Sequence, residues 1–571
     1  MAIVPNPAVA QSAAYAVAKH GAPIDLKLDA NEGAPPPVEL LALLDDAELL
    51  RRYPDARPLE AKLAARLGVT PDRVLATCGA DDALDRACRA FLWRGRELVL
   101  PVPTFEMLPR FAELLGATTR KIPWPSGDYP LAEVLAAVND DTAAIAVVSP
   151  NNPTGAVITR EQLLALAKAV PEVMLFVDLA YAEYADDDLT DVALGLPNAV
   201  VFRTLSKAWG LAGARVGYAV ATPQVIGWMR ATGGPYAVTA PSVALACAWL
   251  ERGEEAMRSA VARARSERTR LRGRLDGLGA RSLPSEANFV IARPRDARWL
   301  RDGLAGLGVA VRSWPGHPDL DGLVRIGCPA NEAQFDRLCA ALDATLAPEA
   351  LLFDMDGVLA SVSGSYRQAI LDTAASFGVT LGHGDLSRAK AAGNANNDWV
   401  LTQRLVEARG VPAPFDEVKA RFEARYHGAD GEPGLSARET MLCTEALLAR
   451  LAQRLPLGIV TGRPRRDATE FLERHGIAHH FRSVVCMEDA PLKPDPAPVR
   501  RALAELGITR AWLVGDTPDD VWASRAAGVV PLGFLGGEAD REPDGPATHA
   551  LHRAGAARIL ASLDELELLL S

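Results

Sequence analysis

The sequence predicts an α/β chain of several domains, built on largely parallel sheets whose faces are covered by helices. Short apolar strands alternate with helical stretches along most of the chain, which is typical of buried parallel sheets. The pattern restarts at residue 350, directly after Ala347-Pro348-Glu349, and a proline at such a change marks a domain boundary. At 571 residues the chain is also too long for a single core.

Composition and charge exclude several classes of protein. Apolar residues make up 49% and charged residues 23%, and there is neither a signal-peptide pattern nor an apolar run of bilayer length, so we expect no membrane partner. A net charge of −11 disfavours nucleic acid as a partner. We expect small-molecule substrates instead. The seven cysteines are scattered without a C-x-x-C pair, which favours the reducing cytoplasm.

Functional side chains follow the predicted strands of the first part of the chain. These strands are expected at 74–77, 97–100, 143–148, 174–177 and 199–203. Ligands of such sheets bind beyond the carboxyl ends of the strands. Asn152, Asp178 and Lys207 each come soon after a strand, so we expect them to share one site.

The stretch 204–215 carries the most specific chemistry. Lys207 directly follows Ser206 and lies three residues after Thr204, with Arg215 eight positions further on. A lysine in a partly dry pocket becomes a neutral nucleophile, and hydroxyls with an arginine fit a phosphate. Together they are what a bound pyridoxal phosphate requires. A surface lysine beside a glycine-rich turn is the alternative.

Residues 1–347 resemble the fold-type-I, pyridoxal-phosphate-dependent aminotransferases, and most closely the histidinol-phosphate aminotransferases. Asn-Asn-Pro-Thr-Gly at 151–155, Asp-x-x-Tyr at 178–181 and the stretch 204–215 occur in the order of that family. The resemblance implies a large domain at about 45–255 and a small domain from the N-terminal segment plus about 256–347. It also implies a homodimer with shared sites and amino transfer between glutamate and imidazole acetol phosphate.

The resemblance implies a role for each matching residue. Lys207 would bind the cofactor covalently and carry a proton, and Asp178 would pair with the pyridinium nitrogen. Asn152 and Tyr181 would bond the phenolic oxygen, and Phe105 would stack on the ring. The cofactor phosphate would be held by Gly79, Ala80, Asp81, Thr204, Ser206, Arg215 and, from the neighbouring subunit, Tyr53.

A further set of residues resembles the family's substrate pocket. Arg325 and Arg312, with Tyr15 and Asn31, match the pattern that holds the phosphate of histidinol phosphate. Two arginines suit a phosphate dianion. The family's usual Pro-Tyr reads Ala14-Tyr15 here, which leaves open a different phosphorylated or aromatic amino acid, or decarboxylation of threonine phosphate.

Residues 348–571 resemble a phosphatase of the haloacid dehalogenase superfamily, subfamily IA. The resemblance rests on four motifs in the family's order: Asp354-Met355-Asp356-Gly357, 458–462, Leu492-Lys493-Pro494 and 513–520. It implies a Rossmann-like core at about 349–361 and 446–571 with a helical cap at about 362–445. Phosphonate hydrolysis is an alternative reaction, and a non-catalytic regulatory role for one half of the chain is another alternative.

The phosphatase resemblance also implies roles. Asp354 would attack phosphorus, and Asp356 would protonate the leaving oxygen and then activate water. Thr461 would bond the phosphoryl group, and Lys493 would neutralise charge. Mg²⁺ would be held by Asp354, the backbone carbonyl of Asp356, Asp516 and Asp520. The polar cap loop 393–399 either recognises the leaving group or caps a helix.

Overall fold

A computed structural model describes residues 3–10, 12, 14, 17, 19–428, 432–536 and 545–570. The chain forms two compact units. The first comprises Met1–Ala18, Leu28–Ala297 and Val311–Arg337, and the second comprises Lys19–Lys27, Arg298–Ala310 and Leu338–Ser571. Because the units alternate along the chain, the domain boundaries given above stay predictions.

A mixed sheet of seven described strands organises the first unit. In spatial order the strands are Val74–Cys78, Val216–Val220, Ala199–Thr204, Met174–Asp178, Thr142–Val148, Glu97–Val102 and Thr118–Pro123. Neighbouring strands pair in parallel except Val216–Val220, which is antiparallel to both its neighbours. The α/β fold with a largely parallel sheet is therefore confirmed, and the antiparallel strand is an addition that the sequence pattern did not reveal.

Helices cover this sheet, and a smaller antiparallel sheet completes the unit. The small sheet has the order Arg312–Ser313, Val324–Gly327, Phe289–Arg293 and Arg281–Ser282. The α-helices are Pro7–Ala10, Glu48–Arg51, Arg57–Leu67, Gly79–Phe91, Met107–Leu114, Leu131–Ala137, Arg160–Ala169, Thr190–Leu194, Pro223–Ala231, Ala240–Arg252 and Glu254–Gly277. Short 3-10 turns lie at Val38–Leu44, Pro71–Arg73, Ala182–Tyr184 and Ala212–Ala214.

Local sequence explains where several of these helices begin. Thr159, Thr222 and Thr239 each accept a hydrogen bond from the amide three residues further on, which satisfies a backbone donor that the first turn leaves open. Under the helices the core is apolar and aromatic, with the rings of Phe176 and Phe202 in edge-to-face contact at 5.9 Å. Burying each such ring stabilises the fold by about 1.5–3 kcal/mol.

The second unit contains a parallel sheet of six described strands. Their order is Phe481–Val485, Leu457–Val460, Ala350–Phe353, Ala511–Gly515, Val530–Phe534 and Arg558–Leu560. Two short ribbons pair Leu26–Lys27 with Val309–Ala310 and Ala360–Ser361 with Thr440–Met441. The second ribbon joins the two ends of the predicted cap.

The helices of the second unit fall into a cap group and a core group. Within the predicted cap lie Tyr366–Ser376, His383–Ala391, Asp398–Glu407, Phe415–His427 and the 3-10 turn Leu435–Arg438. Around the sheet lie Glu445–Arg454, Arg465–Arg474, Ala497–Leu506, Pro518–Ala526, Pro546–Ala554, Glu565–Leu570 and the 3-10 turn Ala478–His480. Ala297–Gly306 and Glu332–Leu346 belong partly to each unit. Within the described ranges, no helix combines the length and apolar character needed to cross a bilayer.

Candidate active sites

Lys207 lies in a polar pocket just beyond the strand Ala199–Thr204. Its Nζ donates to the carbonyl oxygen of Ala30 at 2.8 Å and lies 5.7 Å from the ring centre of Tyr181. Asn31 donates through Nδ2 to the hydroxyl oxygen of Tyr181 at 3.1 Å. The buried Oδ1 of Asn31 has no hydrogen-bond partner among the described residues. A buried acceptor without a donor is unfavourable, so the pocket suits a polar ligand.

The segment carrying Asn31 is locked against the lysine loop. A Cβ atom at Gly33 would lie 1.7 Å from the carbonyl oxygen of Lys207, so only glycine permits this approach. Asn288 donates through Nδ2 to the carbonyl oxygen of Asn31 at 3.1 Å. The sequence did not single out Gly33 or Asn288, because both act through contacts with residues far away in the chain.

Asp178 ends the strand Met174–Asp178 and is buried. Its Oδ1 accepts the backbone N–H of Ala180 at 3.0 Å. Burial raises the pKa of Asp178 from 3.8 to about 7; nearby Asp81 adds to the rise, while the Ala180 amide and Lys207 oppose it. A cation beside this carboxylate would offset its burial. The protonated ring nitrogen of pyridoxal phosphate fits that requirement.

Donors for an anion gather near the start of the helix Gly79–Phe91. Thr204 donates to the hydroxyl oxygen of Ser206 at 2.9 Å, and the Ser206 amide donates back to Thr204 Oγ1 at 3.0 Å. Arg215 pairs with Asp81, with 3.2 Å between Nη2 and Oδ2. The hydroxyl pair and the arginine fit a phosphate group, although Asp81 holds the arginine in this structure.

Backbone geometry places the helix start beside Arg215. A Cβ atom at Gly217 would lie 2.3 Å from the carbonyl carbon of Gly79 and 2.4 Å from the amide nitrogen of Ala80. The strand Val216–Val220 therefore passes directly against the first turn of this helix. Helix N-termini carry open N–H groups and favour anions, so Gly79 and Ala80 lie where the predicted phosphate site needs them.

Two arginines face each other on neighbouring strands of the small sheet. Arg312 and Arg325 are directly opposed in the register, and their guanidinium groups lie 5.5 and 5.8 Å from the ring centre of Trp314. Arg325 donates to Asn152 Oδ1, and Arg312 donates to Glu106 Oε1 at 3.3 Å. Opposed like charges are unfavourable, so a bound anion would stabilise the pair. Glu106 and Trp314 were not predicted, since neither belongs to a motif.

Tyr53, Phe105 and Tyr15 complete the set of residues that were predicted for this site. Tyr53 is 81% exposed and stacks on Tyr236, with ring centres 4.6 Å apart. Phe105 is partly buried and packs against the apolar core of the first unit. Tyr15 lies outside the described residues. The roles assigned to these three residues stay predictions.

In the second unit, buried charges converge where the parallel strands end. Lys493 Nζ donates to Asp354 Oδ1 at 2.8 Å, to the carbonyl oxygen of Val460 at 2.9 Å and to Asp520 Oδ1. Carboxylate oxygens of Asp354, Asp516 and Asp520 lie within 4.8 Å of one another. Burial raises the pKa of Asp354 well above its ordinary value; Lys493 opposes the rise, and the neighbouring carboxylates reinforce it.

This donor set fits a divalent cation. The three buried carboxylates face one ammonium, Lys493, and one guanidinium, that of Arg367 at 3.8 Å from Asp516. This leaves excess negative charge, which is costly away from water unless it is compensated. Hard oxygen ligands of this kind suit Mg²⁺. Asp520 also accepts the amide and the hydroxyl of Thr517, at 3.0 and 2.7 Å. The contacts of Asp520 therefore suit it to holding Lys493 as well as to binding a metal ion.

Asp356 contacts Arg463, a residue that the sequence analysis did not single out. Arg463 Nε donates to Asp356 Oδ1, and the Arg463 amide donates to Thr461 Oγ1 at 3.2 Å. Arg463 follows Thr461 by two residues in Thr-Gly-Arg, so its position could have been noticed. Its contact with Asp356, 107 residues earlier, could not.

The cap loop 393–399 contacts the core through Asp519. The Asp519 carboxylate accepts the amides of Asn394 and Ala395, at 2.8 and 3.0 Å, and Nδ2 of Asn396 at 2.8 Å. Asn397 caps the helix Asp398–Glu407 through Oδ1, which accepts two amides at 3.1 Å. Helix capping is thus present in this loop, and recognition of a leaving group stays a prediction.

A cavity of about 480 Å³ lies beside this charge cluster. Arg367, Lys390 and Asp516 are among its lining residues. Lys390 is a cap lysine that the sequence did not single out, and it pairs with Asp398 at 3.5 Å. Burial lowers the pKa of Lys390, but Asp398 and other carboxylates raise it above its ordinary value. A protonated lysine suits anion binding rather than the nucleophilic attack that phosphonate hydrolysis would need.

Two family models match the chain. Residues 23–342 match the model for class I and II aminotransferases. Residues 351–533 match the model for haloacid dehalogenase-like hydrolases.

Several known proteins resemble parts of the chain. It is 36% identical over 330 residues to an aromatic amino acid aminotransferase of Corynebacterium efficiens, covering 56% of this chain and 93% of that protein. It is 34% identical over 328 residues to histidinol-phosphate aminotransferase 2 of Pseudomonas fluorescens, covering 54% of this chain and 86% of that protein. It is 50% identical over 196 residues to imidazoleglycerol-phosphate dehydratase of Phytophthora nicotianae, covering 33% of this chain and only 43% of that protein.

A solved structure gives the same assignment for the first part. Histidinol-phosphate aminotransferase from Sinorhizobium meliloti, solved in complex with pyridoxal-5'-phosphate, covers 60% of this chain and 96% of its own, with 27% identity and a TM-score of 0.55. The fold-type-I aminotransferase fold is therefore confirmed, and it supports pyridoxal phosphate as the cofactor.

Proposed function

This chain belongs to the class I and II aminotransferases and, in its C-terminal part, to the haloacid dehalogenase-like hydrolases, and from that premise we propose that it catalyses two reactions. The first is amino transfer between glutamate and a phosphorylated ketone, imidazole acetol phosphate, which yields histidinol phosphate. The second is Mg²⁺-dependent hydrolysis of a phosphate monoester.

One observation carries the choice of a phosphorylated substrate for the first reaction. Arg312 and Arg325 oppose each other across two strands and share the ring of Trp314. Arg325 also donates to the carbonyl oxygen of Asp29 at 2.6 Å, and the next residue, Ala30, accepts a hydrogen bond from Lys207 Nζ at 2.8 Å. Two guanidinium groups provide paired donors and two charges, which match a phosphate dianion better than a single carboxylate.

In the first site the chain's own groups bind, orient and move protons. Pyridoxal phosphate, when bound, supplies a ring that accepts electrons from the substrate's Cα. Asp178 would hold a proton on the ring nitrogen, and Asn152 with Tyr181 would orient the phenolic oxygen. Lys207 Nζ would take up the proton that leaves the substrate's Cα and would hold it for return later in the amino transfer.

In the second site, Asp354 would attack phosphorus while Asp356 gives a proton to the leaving oxygen. Water would then attack the phosphoryl group on Asp354, and Asp356 would take up the water proton as phosphate leaves. Lys493 would keep the nucleophile oriented through its 2.8 Å contact. Asp354 and Asp516 would hold Mg²⁺, which offsets negative charge in phosphoryl transfer.

The similarity to an aromatic amino acid aminotransferase supports a second candidate for the first reaction. The arginine pair lies against Trp314, which belongs to an apolar cluster with Ile291, Leu320 and Leu323, and apolar surroundings of this kind suit an aromatic side chain. Purified protein should be assayed with 2-oxoglutarate and, in turn, histidinol phosphate, phenylalanine and threonine phosphate. Preference for phenylalanine would reject the first candidate, and carbon dioxide release from threonine phosphate would reject both.

We propose further that histidinol phosphate made in the first site is the phosphatase substrate. Fusion raises the local concentration of such an intermediate. The Lys207→Ala variant of the full chain should be screened for phosphate release from histidinol phosphate and other monoesters, since it blocks amino transfer. Release from the other esters but not from histidinol phosphate would refute the shared intermediate while leaving the phosphatase intact.

A cytoplasmic homodimer completes the proposal. The exposed Tyr53–Tyr236 stack supports a subunit contact, as the aminotransferase resemblance requires. The seven cysteines are free thiols, in keeping with a reducing compartment. Native mass spectrometry should show two copies of the chain, and a monomer that retains full transaminase activity would refute the shared site.

A further inference from the structure

Arg463 is a fully buried guanidinium held by two carboxylates. Nε donates to Asp356 Oδ1, while Nη1 and Nη2 donate to Glu439 Oε2 and Oε1 at 3.0 and 3.1 Å. The rings of Tyr366 and Phe471 lie 4.8 and 5.4 Å from its Cζ atom. A planar fork with this many fixed partners has no freedom to rotate. The position of Asp356 Oδ1 is therefore tied to the position of Glu439.

Glu439 is in turn tied to both ends of the predicted cap. Its Oε1 accepts the hydroxyl of Ser365 at 2.8 Å and the hydroxyl of Tyr426 at 3.0 Å. Ser365 directly precedes the first cap helix, and Glu439 directly precedes the returning strand Thr440–Met441. The side chain of Glu439 is 1% exposed, so water does not substitute for these bonds. Any displacement of the cap ends would move this carboxylate.

We propose that Arg463 is a positioning residue for the phosphatase reaction and that Glu439 makes its action depend on the cap. This rests on the phosphatase activity proposed above. With Oδ1 held by Arg463, Oδ2 of Asp356 becomes the oxygen that gives a proton to the leaving alcohol as the P–O bond breaks. The same Oδ2 takes a proton from water as the bond between phosphorus and Asp354 breaks. A cap that is out of place would misalign both proton transfers.

The leaving group provides a test that a purely structural role would not pass. Nitrophenolate departs without a proton, so formation of the phosphoryl-enzyme from p-nitrophenyl phosphate does not need the acid. The alcohol that leaves an alkyl phosphate needs this proton from the acid. Positioned acid–base groups contribute roughly 10²–10⁴-fold. Arg463→Lys and Glu439→Gln should therefore lower kcat on an alkyl phosphate by about 100-fold or more, with KM nearly unchanged.

Rapid mixing with p-nitrophenyl phosphate should separate the two steps. We expect both variants to keep the initial burst of nitrophenol within a few-fold of the wild type, followed by a slow steady state, because only the water step needs Asp356. Equal losses in burst and steady state, or no loss with the alkyl ester, would overturn the proposal. If Arg463→Lys does not fold, Glu439→Gln decides alone, because it keeps the shape of the side chain.

Two variants serve as matched controls. Arg465→Lys changes an arginine two residues away whose side chain is 50% exposed and pairs with Asp489. Tyr366→Phe removes the buried hydrogen bond to Asp467 but keeps the ring over Arg463. Neither should change the ratio of alkyl to nitrophenyl turnover. Absence of phosphate release from every ester by the wild-type chain would instead reject the phosphatase function itself.

Discussion

Replacing Asp178 by asparagine tests the electrostatics of the first site directly. A carboxyl group whose pKa is higher in the folded than in the unfolded chain binds its proton more tightly when folded. The stability that it contributes is complete below the unfolded pKa and is lost as pH rises through the folded pKa. For Asp178 these values are 3.8 and about 7, so the loss falls mainly between pH 4 and 7.

The size of the effect follows from the same shift. Raising the pKa of Asp178 from 3.8 to about 7 changes the free energy of unfolding by about 4 kcal/mol between low pH and the pH at which Asp178 is ionised in both the folded and the unfolded chain. Roughly 2.5 kcal/mol of this stability is lost between pH 5 and pH 8. Asparagine has the same shape and no charge to bury. Without the cofactor, the Asp178→Asn variant should therefore gain roughly 2.5 kcal/mol of unfolding free energy relative to the wild type over that pH interval.

The assay must report on the first unit alone. Hydrogen exchange of the amides in the strand Met174–Asp178, measured in increasing urea at pH 5 and pH 8, gives its local unfolding free energy. Saturating pyridoxal phosphate should flatten the pH dependence of the wild type, because the ring nitrogen pairs with the Asp178 carboxylate, whereas the variant should lack this pH dependence with or without the cofactor. A difference between wild type and variant that is independent of pH would refute the reasoning.

Three further predictions concern the other charged groups. Arg325→Gln and, more weakly, Arg312→Gln should raise KM for histidinol phosphate by roughly 10–100-fold, because each removes a charge-assisted hydrogen bond worth about 1.5–3 kcal/mol. An unchanged KM in steady-state assays would exclude these two arginines from substrate binding. Lys207→Ala should abolish amino transfer and the visible absorbance of bound cofactor but preserve phosphate release, and Asp354→Asn should do the reverse; loss of both activities in either variant would contradict independent sites. Lys493→Met should destabilise the second unit by about 3–5 kcal/mol in urea unfolding, because it leaves buried carboxylates without their cation. Added Mg²⁺ should restore part of that loss, and an unchanged midpoint would contradict the buried pairing.

The sequence predicted the sheet and the residues at its strand ends because both follow from local patterns. Asp178 and Lys207 follow apolar strands, and parallel strands bring such residues to one edge of a sheet. The antiparallel strand Val216–Val220 was missed because it directly follows the stretch 204–215, which was interpreted for its chemistry and not for the strand that comes after it. Its place between two other strands depends on long-range pairing, which local propensity does not encode.

Partners supplied by distant parts of the chain were also beyond reach of the sequence. Arg312 was proposed as a phosphate ligand, yet its contact with Glu106 joins residues 206 positions apart. Arg463 contacts Asp356 across 107 positions. The sequence singled out Arg312 and Asp356, but it did not single out Glu106 and Arg463, the residues that contact them. Such contacts depend on how elements pack, and a single sequence carries no direct signal for that.

Both sites hold buried negative charge, and the proposed cofactor of each site carries positive charge. The main sheet of each unit places carboxylates at buried strand ends, where water cannot compensate their charge. In the first unit Asp178 is opposed chiefly by a backbone amide and more distant cations. In the second, Lys493 pairs with Asp354 and Asp520, and Arg367 lies 3.8 Å from Asp516. A protonated ring nitrogen at the first site and Mg²⁺ at the second each provide the missing positive charge, so loading either cofactor should stabilise its own unit and leave the other unchanged.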